Sequence, residues 1–191
     1  AKVDQADKTD GCTALMFAAA HGHENVVRAL LAAGADKNKV HNQDATALML
    51  AAQNGHADVV RTLCEAGADK DKADTNGCTA LIYAAHYFHA DVVTALCEAG
   101  ADKEKADNDG FTPLISSAYH GHANIVRNLI DAGANVKEKN KDGNTALKIA
   151  KQKGHAEVVR ALYEADKNRR PIRRKNLLKA ILSSINNIIK K

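Results

Sequence analysis

Nine histidines and four cysteines carry most of the reactive chemistry available to this 191-residue chain. Imidazoles and thiols ligate metals, relay protons and attack electrophiles, but each of these tasks needs the groups close together. The spacing points elsewhere. His23, His56, His89, His122 and His155 recur every 33 residues, whereas a metal site draws on short pairs such as Cys-x-x-Cys or His-x-x-x-His. Neither pair occurs. The His21 and His23 pair is too small a motif to define a site, and His21, His86 and His120 fall in different copies of the period. Cys12 and Cys78 each follow a glycine, while Cys64 and Cys97 take positions held in other copies by Leu31 and Ile130. Helices stacked about 10 Å apart hold such cysteines beyond disulfide reach, so reduced, structural thiols are expected. Every glycine is used by a turn or a helix end, which leaves no phosphate-binding loop. The expectation is no catalytic residue, no metal and no cofactor.

The same period governs the elements that would position any site. Thr13, Thr46, Thr79, Thr112 and Thr145 stand 33 residues apart, as do Leu15, Leu48, Leu81, Leu114 and Leu147. A period of this length means one supersecondary unit copied and stacked, each copy unable to bury its apolar face alone. In the first copy Thr13 is placed as an N-cap whose hydroxyl accepts from a first-turn amide. An alanine-rich run from Met16 to Ala20 follows, then Gly22, then Val26, Val27, Leu30 and Leu31 at helical spacing, then Gly34. The two glycines sit where a left-handed residue ends a helix. Residues 36–43 are polar and form an extended turn. The unit is therefore turn, short helix, tight loop, longer helix, with paired alanines at 18, 19, 51, 52, 84 and 85 keeping neighbouring units close.

Gly-x-Thr-Ala/Pro-Leu, Ala-Ala, Gly-His, Val-Val, Leu and Gly-Ala-Asp at this period resemble the ankyrin repeat, five times over about residues 1–165. The resemblance implies an all-α solenoid of stacked antiparallel helix pairs with hairpin-like fingers. It also implies a concave face that binds another protein, no catalysis and a structural role for the five recurrent histidines. Residues 1–9 read as the remnant finger of an earlier copy, and residues 10–165 as the repeat domain. The repeats fall at about 8–40, 41–73, 74–106, 107–139 and 140–165. In the last of them Lys148, Lys151 and Lys153 give the polar outer face of a closing unit.

Composition agrees with a soluble domain: 45% of residues are hydrophobic, 4% are aromatic and there is no tryptophan. No run reaches the roughly 18 apolar residues that span a bilayer, and the chain opens without a signal-peptide pattern. An intracellular location, cytoplasmic or nuclear, is expected.

Departures between copies locate the candidate site. Asp44 stands where other copies have a turn glycine, a residue type that tolerates a left-handed backbone. Phe88 replaces the glycine between helices, at a cost of about 1–2 kcal/mol if it is held at positive φ. Tyr83 in repeat three faces Ser116 in repeat four, read as volume compensation in the core. Five of the seven aromatic residues lie between 83 and 119, and exposed aromatic clusters anchor interfaces. The partner-binding surface is therefore expected to comprise Asn42, Gln43, Gln53 and Asn54 of repeat two, Asn76, His86 and Tyr87 of repeat three, and Asp109, Phe111, Tyr119 and His120 of repeat four. These are the finger and first-helix positions that the resemblance assigns to contacts, and they differ from copy to copy.

Charge then divides the chain. Residues 167–191 hold nine Lys and Arg and no acid, against 18 cations and 23 acids before them. Arg169, Arg170, Arg173, Arg174 and Lys175 form a basic linker over 166–176. Residues 177–191 read as an amphipathic basic helix with Leu177, Leu178, Ile181, Leu182, Ile185, Ile188 and Ile189 on one face. The helix either docks on the last repeat or serves as a nuclear-targeting signal or as a membrane-surface or nucleic-acid contact. Two functions follow: an adaptor or scaffold binding a partner protein on the concave surface, or a tail-driven binder with the array as spacer.

Overall fold

The computed structural model describes residues 3–167. Nine helices follow one another: α1 (Ala14–Ala20), α2 (Glu24–Ala32), α3 (Ala47–Gln53), α4 (Ala57–Glu65), α5 (Ala80–His86), α6 (Ala90–Glu98), α7 (Pro113–His120), α8 (Ala123–Asp131) and α9 (Ala146–Lys153). A further helical segment occupies 156–167. The short helices α1, α3, α5, α7 and α9 pack in one row and α2, α4, α6 and α8 in a second, with each short helix against the long helix that follows it. The chain is an all-α solenoid.

Each short helix starts where the sequence says it should. The hydroxyl of Thr13 accepts from the Met16 amide, and Thr46, Thr79, Thr112 and Thr145 repeat the bond to Met49, Ile82, Ile115 and Lys148 at 3.3 Å. A cap of this kind is worth about 1 kcal/mol. Four of these threonines are buried, so the hydroxyl also spares the interior an unpaired donor. Ala19, Ala51, Ala52, Ala84, Ala85, Ala118 and Ala150 have no exposed surface. Their small side chains let the row of short helices close up around Leu15, Leu48, Leu81 and Leu114.

The recurrent histidines join one unit to the next. The Nε2 atoms of His56, His89, His122 and His155 lie 3.0–3.1 Å from the carbonyl oxygens of Ala20, Gln53, His86 and Tyr119, at the end of the preceding unit's short helix. In three of the four joints the ring crosses a loop bare of side chain. A Cβ on Gly22, Gly55 or Gly121 would stand 2.6–2.7 Å from Nδ1 of His56, His89 or His155. Phe88 is the exception: it keeps a left-handed φ of 67° despite its side chain, and its half-exposed ring rests against His122 with centroids 4.8 Å apart. Asp44 likewise holds φ 61° and keeps its turn, donating its amide to the His41 carbonyl at 2.9 Å.

Fingers are linked by a second ladder. The amides of Asn42, Thr75, Asn108 and Lys141 donate to the carbonyls of Asp10, Gln43, Asn76 and Asp109 at 2.9–3.3 Å. At the finger bases Lys39 and Lys72 each donate Nζ to a carbonyl of the finger before, Asp4 and Asn38 respectively. The residues before the first helix are therefore held: Val3 packs on the core, and Asp4 accepts the Asp36 amide at 2.9 Å.

Candidate functional site

The eleven residues expected to form the binding surface separate into three groups. Asn76, His86, Tyr87, Asp109, Phe111, Tyr119 and His120 all line one groove of about 370 Å³ between the finger and short helix of residues 76–87 and those of residues 107–120. Asn42 and Gln43 belong to a second groove of about 440 Å³, with Asp10, Phe17, His21, His41 and Leu50. Gln53 and Asn54 lie between them. The Gln53 carbonyl is taken by His89, and the Asn54 amide group donates back to Leu50 at 2.8 Å. Asn42 also spends its side chain inside the fold, donating Nδ2 to the Thr9 carbonyl at 3.1 Å, as Asn108 does to Thr75.

The first groove is walled by rings. Tyr87 is 47% exposed and Tyr119 38%. Phe111 meets Tyr119 edge-on at 5.8 Å, His86 lies 4.6 Å from Tyr87 and 4.2 Å from His120, and Tyr119 carries the ammonium group of Lys153 at 4.1 Å from its ring centre. The last residue of a short helix thus lies over a residue at or near the end of the short helix before it, His120 of α7 over His86 of α5 and Lys153 of α9 over Tyr119 of α7.

Five lining residues lay outside the expected set, Cys78, Ile82, Tyr83, Asp107 and Ser116, and Tyr83 and Asp107 bear most on the site. Tyr83 packs against the core, as volume compensation requires, yet it also lines the groove and donates its hydroxyl to Asp74 Oδ2 at 2.5 Å. Asp74 Oδ1 accepts the amides of Asn76 and Cys78, so the whole carboxylate is engaged. Asp107 is its counterpart one repeat later: Oδ1 accepts the amides of Asp109 and Phe111 at 2.9 and 2.8 Å. The available signal was the 33-residue spacing of Asp74 and Asp107, each four residues before a finger residue that precedes the N-cap threonine.

Charge states suit binding better than reaction. Burial, reinforced by the carboxylates of Asp74, Asp107 and Asp109, pushes the Cys78 thiol up to about 12, so it stays protonated at neutral pH. Burial and then the bond to Asp74 raise the Tyr83 phenol above its usual value. A protonated thiol and phenol are poor nucleophiles. Loss of water, and then the neighbouring imidazoles of His120 and His122, lower the His86 pKa. Cys12, Cys64, Cys78 and Cys97 are all free and partly buried. Among the described residues, no three His, Cys, Asp or Glu side chains are placed to hold a metal ion, and no helix is long and apolar enough to cross a membrane. Arg169, Arg170, Arg173, Arg174 and Lys175, with the amphipathic segment after them, lie outside the described residues.

Threonine-capped short helices, the histidine joints and the finger ladder repeat through the array, and the sequence comparison agrees with them. The family model "Ankyrin repeats (3 copies)" matches residues 1–74, 29–107, 66–140 and 103–171. The chain belongs to the ankyrin repeat family. No curated protein matches it significantly. Ankyrin repeats are in general protein–protein interaction modules.

Proposed function

We propose that this chain is a non-enzymatic adaptor or scaffold that holds a partner protein on its concave surface, chiefly in the groove between α5 and α7. The observation that carries the reading is the gathering of Asn76, His86, Tyr87, Asp109, Phe111, Tyr119 and His120 around a single opening. The framework beneath these residues is repetitive and fully used, whereas their side chains vary. Large aromatic surfaces left open to water are the residues whose desolvation contributes most to an interface. Residues 10–165 act as the repeat domain in this reading, with 1–9 completing its first edge, and the free thiols fit an intracellular setting.

The test begins with affinity capture and mass spectrometry to identify a partner, followed by titration of the purified pair. Tyr87→Ala combined with Tyr119→Ala weakens binding at least about tenfold and leaves the urea midpoint nearly unchanged, since truncating desolvated aromatic anchors typically costs 2 kcal/mol or more. Normal binding by that variant, with loss on changing Arg61 or Arg127 of the outer helices to Ala, would overturn the reading. A partner lost on deleting residues 167–191 and untouched by the groove variants would instead establish the basic tail as the binding element.

A further inference from the structure

Repeats three and four build the same finger turn around Asp74 and Asp107, but they treat the two carboxylates differently. In repeat three Oδ1 takes two backbone amides and Oδ2 takes the Tyr83 hydroxyl. In repeat four Oδ1 again takes two amides, while Ser116 replaces the tyrosine. The missing bulk is moved to Phe111, which stands where repeat three has Cys78. A phenylalanine ring has no donor, so Asp107 Oδ2 is left facing a groove with no side-chain partner. Asp109 adds a second, exposed carboxylate to the same wall, and no lysine or arginine is among the lining residues. The tyrosine rings opposite offer their faces to a cation. One such pairing is already present at the rim, where Lys153 sits on Tyr119.

We propose that the groove between α5 and α7 receives an arginine or lysine side chain of a partner protein, whose N–H groups donate to Asp107 Oδ2 as the Tyr83 hydroxyl donates to Asp74, with its alkyl stem lying between Tyr87, Phe111 and Tyr119. This rests on the concave face being the partner surface and names the chemistry that it selects. The charge of the guest complements the two carboxylates, and its stem suits the apolar walls. The groove of about 440 Å³ between α1 and α3 offers no such arrangement, because His41 and Gln43 stand in place of Asp107 and Asp109.

The experiment uses the full chain and two capped heptapeptides, Ser-Gly-Ser-Arg-Ser-Gly-Ser and the same peptide with neutral, isosteric citrulline for arginine. Titrations are followed by amide and aromatic NMR shifts. The arginine peptide gives saturable shifts at Tyr87, Asp109, Phe111 and Tyr119, and the citrulline peptide binds at least about tenfold more weakly, as loss of a charge-assisted bond requires. Asp107→Asn with Asp109→Asn removes the charge but keeps the turn, since Asn140 supports the equivalent turn in repeat five by accepting the Asn144 amide at 2.9 Å. That variant loses the preference for arginine at an unchanged melting temperature. Phe111→Cys with Ser116→Tyr copies the repeat-three pair into repeat four and closes the site. Equal binding of the two peptides, or shifts confined to the α1–α3 groove, would refute the proposal. So would groove shifts that follow protein concentration before any peptide is added, which mean that a second copy fills it. A partner that still depends on Tyr87 and Tyr119 while arginine and citrulline peptides bind alike leaves the concave-face reading standing and sinks this one.

Discussion

The groove between α1 and α3 and the groove between α5 and α7 stand two periods apart on one framework, and most of their lining residues occupy equivalent positions. Phe17 answers to Tyr83, Ala20 to His86, His21 to Tyr87, His41 to Asp107, Gln43 to Asp109 and Leu50 to Ser116. The threonine caps, buried leucines and histidine joints beneath them are the same. Backbone shape is therefore not what separates the two. The first groove is short of acids and rings, while the second combines two carboxylates with three tyrosines and a phenylalanine. In a stack whose units contact only their neighbours, one opening can be specialised without disturbing another, because stability is close to a sum over adjacent units.

The sharpest break in the comparison is Tyr83→Phe, which gives repeat three the ring that repeat one carries at Phe17. It leaves Asp74 Oδ2 inside a buried residue without its donor. A loss of about 1–3 kcal/mol is expected in urea unfolding, the usual penalty for stranding a buried acceptor. An unchanged midpoint would mean that water replaces the hydroxyl and that Tyr83 matters only to the groove.

A smaller effect, and opposite in sign, is expected from Phe88→Gly. The left-handed backbone at φ 67° is costly for a bulky residue, and glycine at this position restores the loop found at Gly22, Gly55 and Gly121. Stability should rise by up to about 1–2 kcal/mol, offset in part by the lost contact with His122. Asp44→Gly, the equivalent repair at a finger turn of repeat two, should give less, because aspartate tolerates that conformation better. A destabilised Phe88→Gly would show that the ring contributes more to the joint than its backbone costs.

The smallest effect concerns pH. His86 and His122 both have pKa values below the usual 6.5, each chiefly through loss of water. The adjoining imidazoles reinforce this, and for His122 the bond to the His86 carbonyl opposes it. Below about pH 6.5 the unfolded chain takes up these protons and the folded chain resists them, so stability falls as pH decreases and levels off once the pH passes the folded values. Urea midpoints at pH 7.5 and 5.5 should differ in that direction, and His86→Gln should reduce the difference. No change between the two would remove the imidazole cluster as a source of pH sensitivity and leave the two grooves alike in this respect.

The framework was legible because each of its residues recurs. Thr79 was readable as a cap from its place before Ala-Leu, and Gly55 as a left-handed turn from the run that it ends. The positive φ of Phe88 followed from its occupying a glycine position. Side-chain engagement was harder, since one polar residue serves equally well inside or outside. Asn42 and Asn54 satisfy local carbonyls, although as exposed, variable polar residues they looked available. Tyr83 was read as filler because a large residue beside Ser116 suggests packing; its hydroxyl found Asp74, nine residues earlier, only through the turn of the finger. Residues 167–191 stood out by their charge and by the apolar face of 177–191, and neither pattern by itself specifies a contact.

The histidine joints have a consequence for how such a chain can change in length. Each ring reaches back 36 residues to a carbonyl that lies three residues before the recurrent histidine of the preceding unit. Removing or duplicating one whole period anywhere between two joints leaves every ring facing a carbonyl, whereas a cut one residue longer or shorter misaligns every joint that it spans. The array is thus editable in blocks and brittle to anything smaller. A cut from Phe88 to His120 takes with it Asp107, Asp109, Phe111, Tyr119 and His120 of the proposed partner groove.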